Sequence, residues 1–307
     1  MEGILSVITP AYNEEKMIFK TAEVVSSILE KEQIPYEIIF VNDGSKDNTW
    51  ENIQKVSKQN SKVKGVCFSR NFGKESAMFA GLNYAKGDCC VLIDCDLQHP
   101  PKKIVEMYRL WQQGYEVVEA VKSDRGNESG MHRVAANLFY SILSKITGID
   151  MSNASDFKLL DRKAMNVLLN MREKNAFFRA LSSWIGFKTT QVSFEVQERT
   201  VGESKWSTWS LFKYALNNIA SFSAMPMQIV TILGLLMLLA TIVFGIVAIY
   251  QKVVGIALGG FTTVILLQLF IGSIVMISLG IIGYYIAKIY DEIKARPRYI
   301  VSEVIGE

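Results

Sequence analysis

The chain has 307 residues, room for one large domain or two small ones, and half of them are hydrophobic, more than a soluble enzyme needs. A net charge of +3 is too small to single out a partner. The four cysteines, Cys67, Cys89, Cys90 and Cys95, form no C-x-x-C pair and fall in or beside expected strands. They read as small core residues and speak against a metal site or a disulfide framework.

The N-terminus, MEGILSVITPAYNEE, lacks the basic start and the long apolar run of a signal peptide, so the first part of the chain is expected in the cytoplasm. Strands are expected at residues 4–9, 36–41, 63–69, 89–94 and 116–122. Helical patterns fill the gaps at 15–31, 47–59, 74–86 and 101–113. This alternation predicts βαβ units and a mostly parallel sheet, an α/β fold with ligands outside the carboxyl ends of the strands. The strands are followed in turn by PAYNEE, NDGSKDNT, RNFGKE and DCDLQHP. Each is ordinary turn chemistry taken alone. Together they gather polar and charged groups on one edge. No G-x-G-x-x-G follows the first strand and no G-x-x-x-x-G-K-[ST] occurs, which disfavours a dinucleotide oxidoreductase and a P-loop enzyme.

The fourth turn is the most informative. Asp94 and Asp96 end an apolar run and lie two residues apart, so in extended chain they share a face, and Gln98 follows on the same rhythm. Two like charges held together need a positive partner. A hard cation, Mg²⁺ or Mn²⁺, suits them, because such ions bind one or two carboxylates plus substrate phosphates. For Asp96 alone, an N-cap before Pro100–Pro101 is the competing reading. The two histidines, His99 and His132, have no metal-ligand spacing.

Further along, residues 207–226 carry aromatics and few charges and read as interfacial helices along a membrane. Beyond them, Lys252 is the sole charge between Tyr214 and Ala287. Two membrane spans are expected, at 229–250 and 261–286, joined by a loop with Gly255, Gly259 and Gly260. Lys288, Lys294, Arg296 and Arg298 follow and mark the cytoplasmic side. The expected organisation is a catalytic domain over 1–206, interfacial helices over 207–226, two spans over 227–290 and a cytoplasmic tail over 291–307.

ITPAYNEE, VNDGSKDNT, SRNFGKESAMFAGLNYAKGD, DCDLQHPP, SDFKLLDR and ERTVGESKW stand in the order found in family 2 glycosyltransferases of the GT-A fold. The chain most resembles the membrane-anchored polyprenyl-phosphate glycosyltransferases, the group of dolichol-phosphate mannose synthase and the bactoprenol glucosyltransferases. The resemblance spans nearly the whole chain, spans included. It implies that Asp94, Asp96 and Gln98 form the metal and diphosphate motif, and that Pro10, Tyr12, Glu14 and Asp43 form the nucleotide pocket with Asp94. It implies that Asp156 stands beside sugar and acceptor, as a catalytic residue with Asp96, and that Arg199, Ser204 and Lys205 hold the acceptor phosphate. The chain departs from the family at His99, where an acidic residue is common, and at Asn42, where Asp is common. The implied reaction is inverting transfer of a hexose from a UDP-sugar to undecaprenyl phosphate, for glycan modification in the cell envelope. Glucose is favoured, with N-acetylglucosamine as the other donor.

An acceptor phosphate asks for cations, preferably Arg. Arg125, Arg133, Arg199 and Lys205 are the candidates, the last two because they directly precede the membrane segment. The other partners implied are the lipid bilayer, a flippase and a glycan transferase acting downstream, and no nucleic acid. Assembly as a homo-oligomer stays open. Two competing readings keep the fold. A processive polysaccharide synthase would carry Q-x-x-R-W and more spans, whereas this chain has only Arg179 and Trp184 in FFRALSSWIG. A non-catalytic nucleotide-sugar binding module would bind donor without turnover.

Overall fold

The computed structural model describes residues 3–122, 155–171, 178–195, 225–255 and 260–306. Its described parts fall into two units, one from Met1–Ser207 with Pro297–Glu307, the other from Thr208–Arg296.

In the first unit β1 (Leu5–Ala11), β2 (Tyr36–Asn42), β3 (Val63–Phe68) and β4 (Cys89–Leu92) alternate with α1 (Ile18–Lys31), α2 (Thr49–Gln59), α3 (Lys74–Tyr84) and α4 (Lys103–Gln112). Then come β5 (Val117–Lys122), β6 (Lys158–Asp161), α5 (Arg162–Asn170), α6 (Phe178–Trp184) and β7 (Thr189–Phe194). The sheet has eight strands, in the order β7-β5-β6-β4-β1-β2-β3-β8, where β8 is Val301–Ile305. β1 pairs parallel with β2 and β4, and β2 parallel with β3, as the alternation predicts, while β6 is antiparallel to both β4 and β5. β1 and β2 are buried on both faces and are largely apolar, and the polar pair Ser6 and Glu37 inside them is satisfied, Ser6 Oγ donating to Glu37 Oε1 at 2.6 Å. α3 lies so close to β1 that a Cβ on Gly81 would stand 2.1 Å from Ile8 Cγ2. Only glycine fits there.

Three of the strands escape sequence reading. β6 has only four residues, and both β6 and β7 follow stretches with no clear periodicity. β8 comes from what reads as a polar tail. It pairs antiparallel with β3, and Ser69 N–H donates to Ile300 O at 3.0 Å. Glu303 accepts from Trp50 Nε1 and Gln54 Nε2, both at 3.0 Å, while the Tyr299 ring stacks on Phe68 with centroids 5.0 Å apart. The fourth strand stops at Leu92, two residues earlier than expected, and the chain turns at Cys95–Asp96.

The second unit contains α7 (Met225–Val253) and α8 (Phe261–Ile293), which contact each other. Both are long and apolar enough to cross a membrane, and the window of neither is buried. They are longer than the spans expected from sequence, because each helix runs on into its polar flank. The interfacial segment over 207–226 lies almost wholly outside the described residues.

Candidate functional site

β4 and β2 leave β1 on opposite sides, so the sheet's switch point lies between β1 and β4. Parallel sheets bind ligands outside the carboxyl ends of strands at such a point. Pro10, Tyr12 and Glu14 leave β1 there, with Tyr12 exposed and the other two half-buried. Asn13 takes a φ of +55°, and its N–H donates to Ser45 Oγ at 2.9 Å. Its Oδ1 accepts from Lys46 N–H at 2.9 Å, and Glu14 N–H donates to Thr49 Oγ1 at 2.9 Å. The first two turns are thereby fastened together.

The second turn fastens the third. Asp43 is buried, and its Oδ1 accepts the Phe72 N–H at 2.6 Å. Its two oxygens accept the Gly73 N–H at 3.2 and 2.9 Å. Burial raises the Asp43 pKa and these N–H donors oppose it. Gly73 has a φ of +95°, a conformation that glycine adopts without strain, and α3 starts at the next residue, Lys74. Asn42, where the family commonly has Asp, uses its amide oxygen to accept Ser45 N–H at 3.2 Å.

In the fourth turn Asp94, Asp96 and Gln98 are half-buried, while Cys95 and Leu97 between them are buried. This is the alternation that the sequence implies. Thr21 Oγ1 donates to Cys95 O at 2.8 Å and pins the turn to α1. Asp96 Oδ1 accepts Gln98 N–H at 3.1 Å across Leu97, whose φ is +57°. His99 stacks on Phe157 with centroids 5.0 Å apart, and its Nδ1 lies 3.8 Å from Asp94 Oδ2.

Asp94 and Asp156 meet at Lys74. The ammonium stands 2.6 Å from Asp94 Oδ1 and 2.9 Å from Asp156 Oδ2. Arg179, on α6, holds Asp156 from the other side, with Nε 2.7 Å from Oδ1. Burial works to raise the Asp156 pKa, but Arg179 and Lys74 outweigh it and hold the carboxyl well below the usual range. The same contest, settled mainly by Lys74, lowers the Asp94 pKa. Glu75, next on α3, goes the other way. Burial and the charge of Asp156 push its pKa up to about 8, and its Oε2 accepts the Phe178 N–H at 2.9 Å.

A hard cation fits this turn. Asp94, Asp96 and Gln98 offer oxygen only, and an ammonium already stands in as a cation on Asp94. Among the described residues no three His, Cys, Asp or Glu side chains converge on one point.

Arg125, Arg133, Arg199, Ser204 and Lys205 lie outside the described residues, as does His132. Sequence reading overlooked Lys74, Glu75 and the contact of Arg179. The first two lay in plain view in RNFGKE, charged residues directly after a strand and a glycine. For Arg179 there was no signal, because α6 stands outside the strand–helix alternation that locates the turns.

Residues 6–169 match the family described as "Glycosyl transferase family 2". The chain is 40% identical over 303 residues to an uncharacterised glycosyltransferase, YkcC, of Bacillus subtilis (strain 168), covering 98% of this chain and 94% of that one. It is 37% identical to a prophage bactoprenol glucosyl transferase homolog of Escherichia coli (strain K12), over 98% and 99% of the two chains. The bactoprenol glucosyl transferase of Shigella phage SfII is 36% identical, over 97% of each chain. A solved glucosyl-3-phosphoglycerate synthase from Mycobacterium tuberculosis, crystallised with Mg²⁺ and uridine diphosphate, superposes with a TM-score of 0.49 at 21% identity, over 71% of this chain and 77% of that one. So distant a likeness assigns no ligand here. The relatives that match end to end, and the ordered turns on the GT-A-like sheet, show that the chain belongs to glycosyl transferase family 2 and is a glycosyltransferase.

Proposed function

We propose that the protein transfers a hexose, glucose in the first place, from a UDP-sugar to undecaprenyl phosphate on the cytoplasmic face of the cell membrane. The observation that carries this reading is one of connectivity. The chain leaves the unit bearing the carboxylate cluster, passes through two apolar helices, and returns to the same sheet as β8. Such a route ties a sugar-transfer site to a bilayer from both ends of a helical hairpin, which suits a lipid acceptor. Relatives named as bactoprenol glucosyl transferases support the same acceptor.

In this reading Pro10, Tyr12, Glu14 and Asp43 hold the nucleotide, and Asp94, Asp96 and Gln98 hold Mg²⁺ or Mn²⁺. When bound, that ion neutralises the charge that develops on the leaving diphosphate. An oxygen of the lipid phosphate attacks the anomeric carbon as the bond to the diphosphate breaks, so one displacement inverts the centre. A phosphate monoester has a second pKa near ~6 and is largely dianionic at neutral pH, so it needs little help from a base. Asp156, kept ionised by Arg179 and Lys74, orients sugar or acceptor hydroxyl groups. Arg125, Arg133, Arg199, Ser204 and Lys205 bind the acceptor phosphate.

The test uses the purified full-length protein, undecaprenyl phosphate and a panel of UDP- and GDP-sugars, scored for glycolipid. UDP-glucose is expected to give the product. Transfer from a GDP-sugar alone overturns the donor assignment, and transfer only to a soluble acceptor overturns the lipid.

A further inference from the structure

Lys74, at the start of α3, and Lys158, on β6, both pair with acids, and they differ in exposure. Lys158 is fully buried, 2.6 Å from Glu119 Oε1 and 2.7 Å from Ser182 Oγ. Nothing can replace it without rebuilding the core. Lys74 keeps 43% of its side chain exposed while its ammonium bridges Asp94 and Asp156. It sits on a flexible four-carbon stem at the first residue of a helix.

The two carboxylates depend on it unequally. Asp156 has a second cation, Arg179, at 2.7 Å. Among the described residues Asp94 has Lys74 and, at 3.8 Å, His99. If the ammonium left, Asp156 would keep the Arg179 guanidinium, and Asp94 would keep no cation among the described residues but the imidazole of His99. Asp94 is also where the proposed function places the divalent ion. A lysine ammonium and a hard cation seek the same carboxylate oxygen and repel one another.

We propose that Lys74 is a built-in counter-ion for the unloaded site, one that competes with the divalent cation for Asp94 and yields to it when the donor diphosphate arrives. This rests on the reading of Asp94 as a metal ligand. The diphosphate supplies the negative charge that makes room for both cations. Without it the ion meets a site already neutralised from within, so metal alone binds weakly and metal with nucleotide binds well. The device keeps the carboxylates in position for loading and makes loading ordered.

Mn²⁺ binding to the full-length protein in detergent, followed by electron paramagnetic resonance with and without UDP, tests this. Removing one charge-assisted contact that competes for Asp94 is expected to tighten Mn²⁺ binding without UDP in Lys74→Met by roughly ten- to a hundredfold. Added Mn²⁺ is then expected to raise the thermal midpoint of Lys74→Met more than that of the wild type. Lys74→Arg keeps the charge and is expected to bind Mn²⁺ as weakly as the wild type, which guards against misfolding of the methionine variant. Lys74→Met no tighter than wild type, or Lys74→Arg as tight as Lys74→Met, overturns the proposal. Asp94→Asn separates the two layers. If it loses Mn²⁺ in the presence of UDP while Lys74→Met gains nothing without it, the metal site stands and the counter-ion falls. If Asp94→Asn binds as the wild type does, the metal assignment itself fails.

Discussion

Arg179 grips Asp156 at both oxygens, with Nε 2.7 Å from Oδ1 and a terminal nitrogen 2.9 Å from Oδ2. The paired contact fixes the plane of the carboxylate as well as its charge. Arg179→Ala removes both contacts and is expected to slow transfer at least ten- to a hundredfold, the effect of losing a single charge-assisted hydrogen bond of roughly 1.5–3 kcal/mol. Arg179→Lys keeps the charge but loses the fork, and is expected to recover only part of the rate. Transfer at the wild-type rate in Arg179→Ala, with the fold intact by circular dichroism, would show that Asp156 needs no such clamp.

Glu75 gives the fold a pH dependence of definite sign. Its pKa rises from 4.5 to about 8 on folding, so between these values the folded chain holds a proton that the unfolded chain has lost. Its contribution to stability is full below the lower value and fades as pH climbs through the upper one. Thermal midpoints measured across that range should fall with rising pH in the wild type, and less steeply in Glu75→Gln. Parallel curves for the two proteins would remove Glu75 as the source.

Asp96→Ala is expected to abolish transfer while the protein stays folded and in the membrane fraction. Near-normal turnover in this variant, or full wild-type turnover in excess chelator, would contradict a metal role.

The hairpin can be read directly by labelling. A cysteine placed within residues 255–260 should react with a membrane-impermeant reagent on intact cells. Cysteines added at the N-terminus or after Arg298 should react only once the membrane is opened. Reaction of all three from one side would rule the arrangement out.

Arg199 and Lys205 directly precede the apolar segment in sequence and are assigned to the lipid phosphate. Arg199→Ala and Lys205→Ala should weaken use of that acceptor roughly ten- to a hundredfold and leave UDP-sugar affinity, measured by calorimetry without lipid, almost unchanged. Asp43→Ala should do the reverse, because the carboxylate of Asp43 holds the Phe72–Gly73 backbone that leads into Lys74. Loss of donor affinity in Arg199→Ala would move that segment to the leaving diphosphate.

The turns were legible because parallel βαβ units write their sites in a fixed place. Once the strand before Asp94 is recognised, the polar residues after each strand fall on one edge. The pairing of Asp94 with Asp156 was not legible, because β6 enters the sheet antiparallel and from far along the chain. No periodicity announces that Lys74 will stand between them. Asp43 shows a subtler limit. Its place at the end of β2 can be read from sequence, but the use of both its oxygens on the Phe72–Gly73 backbone cannot, since hydrogen bonds between turns depend on how neighbouring strands pair.

The strand β8 has a consequence for how this enzyme comes into being. β3 is synthesised early and β8 only after both apolar helices have left the ribosome. Until then the edge of β3 presents unpaired backbone groups, the kind of edge that invites association with other chains. Gly65, on that edge, also waits for the Ile305 side chain that covers it. The sheet therefore cannot be completed ahead of the two apolar helices, and a shortened chain ending before the first of them would carry that open edge permanently. Sheet and apolar helices mature as one event.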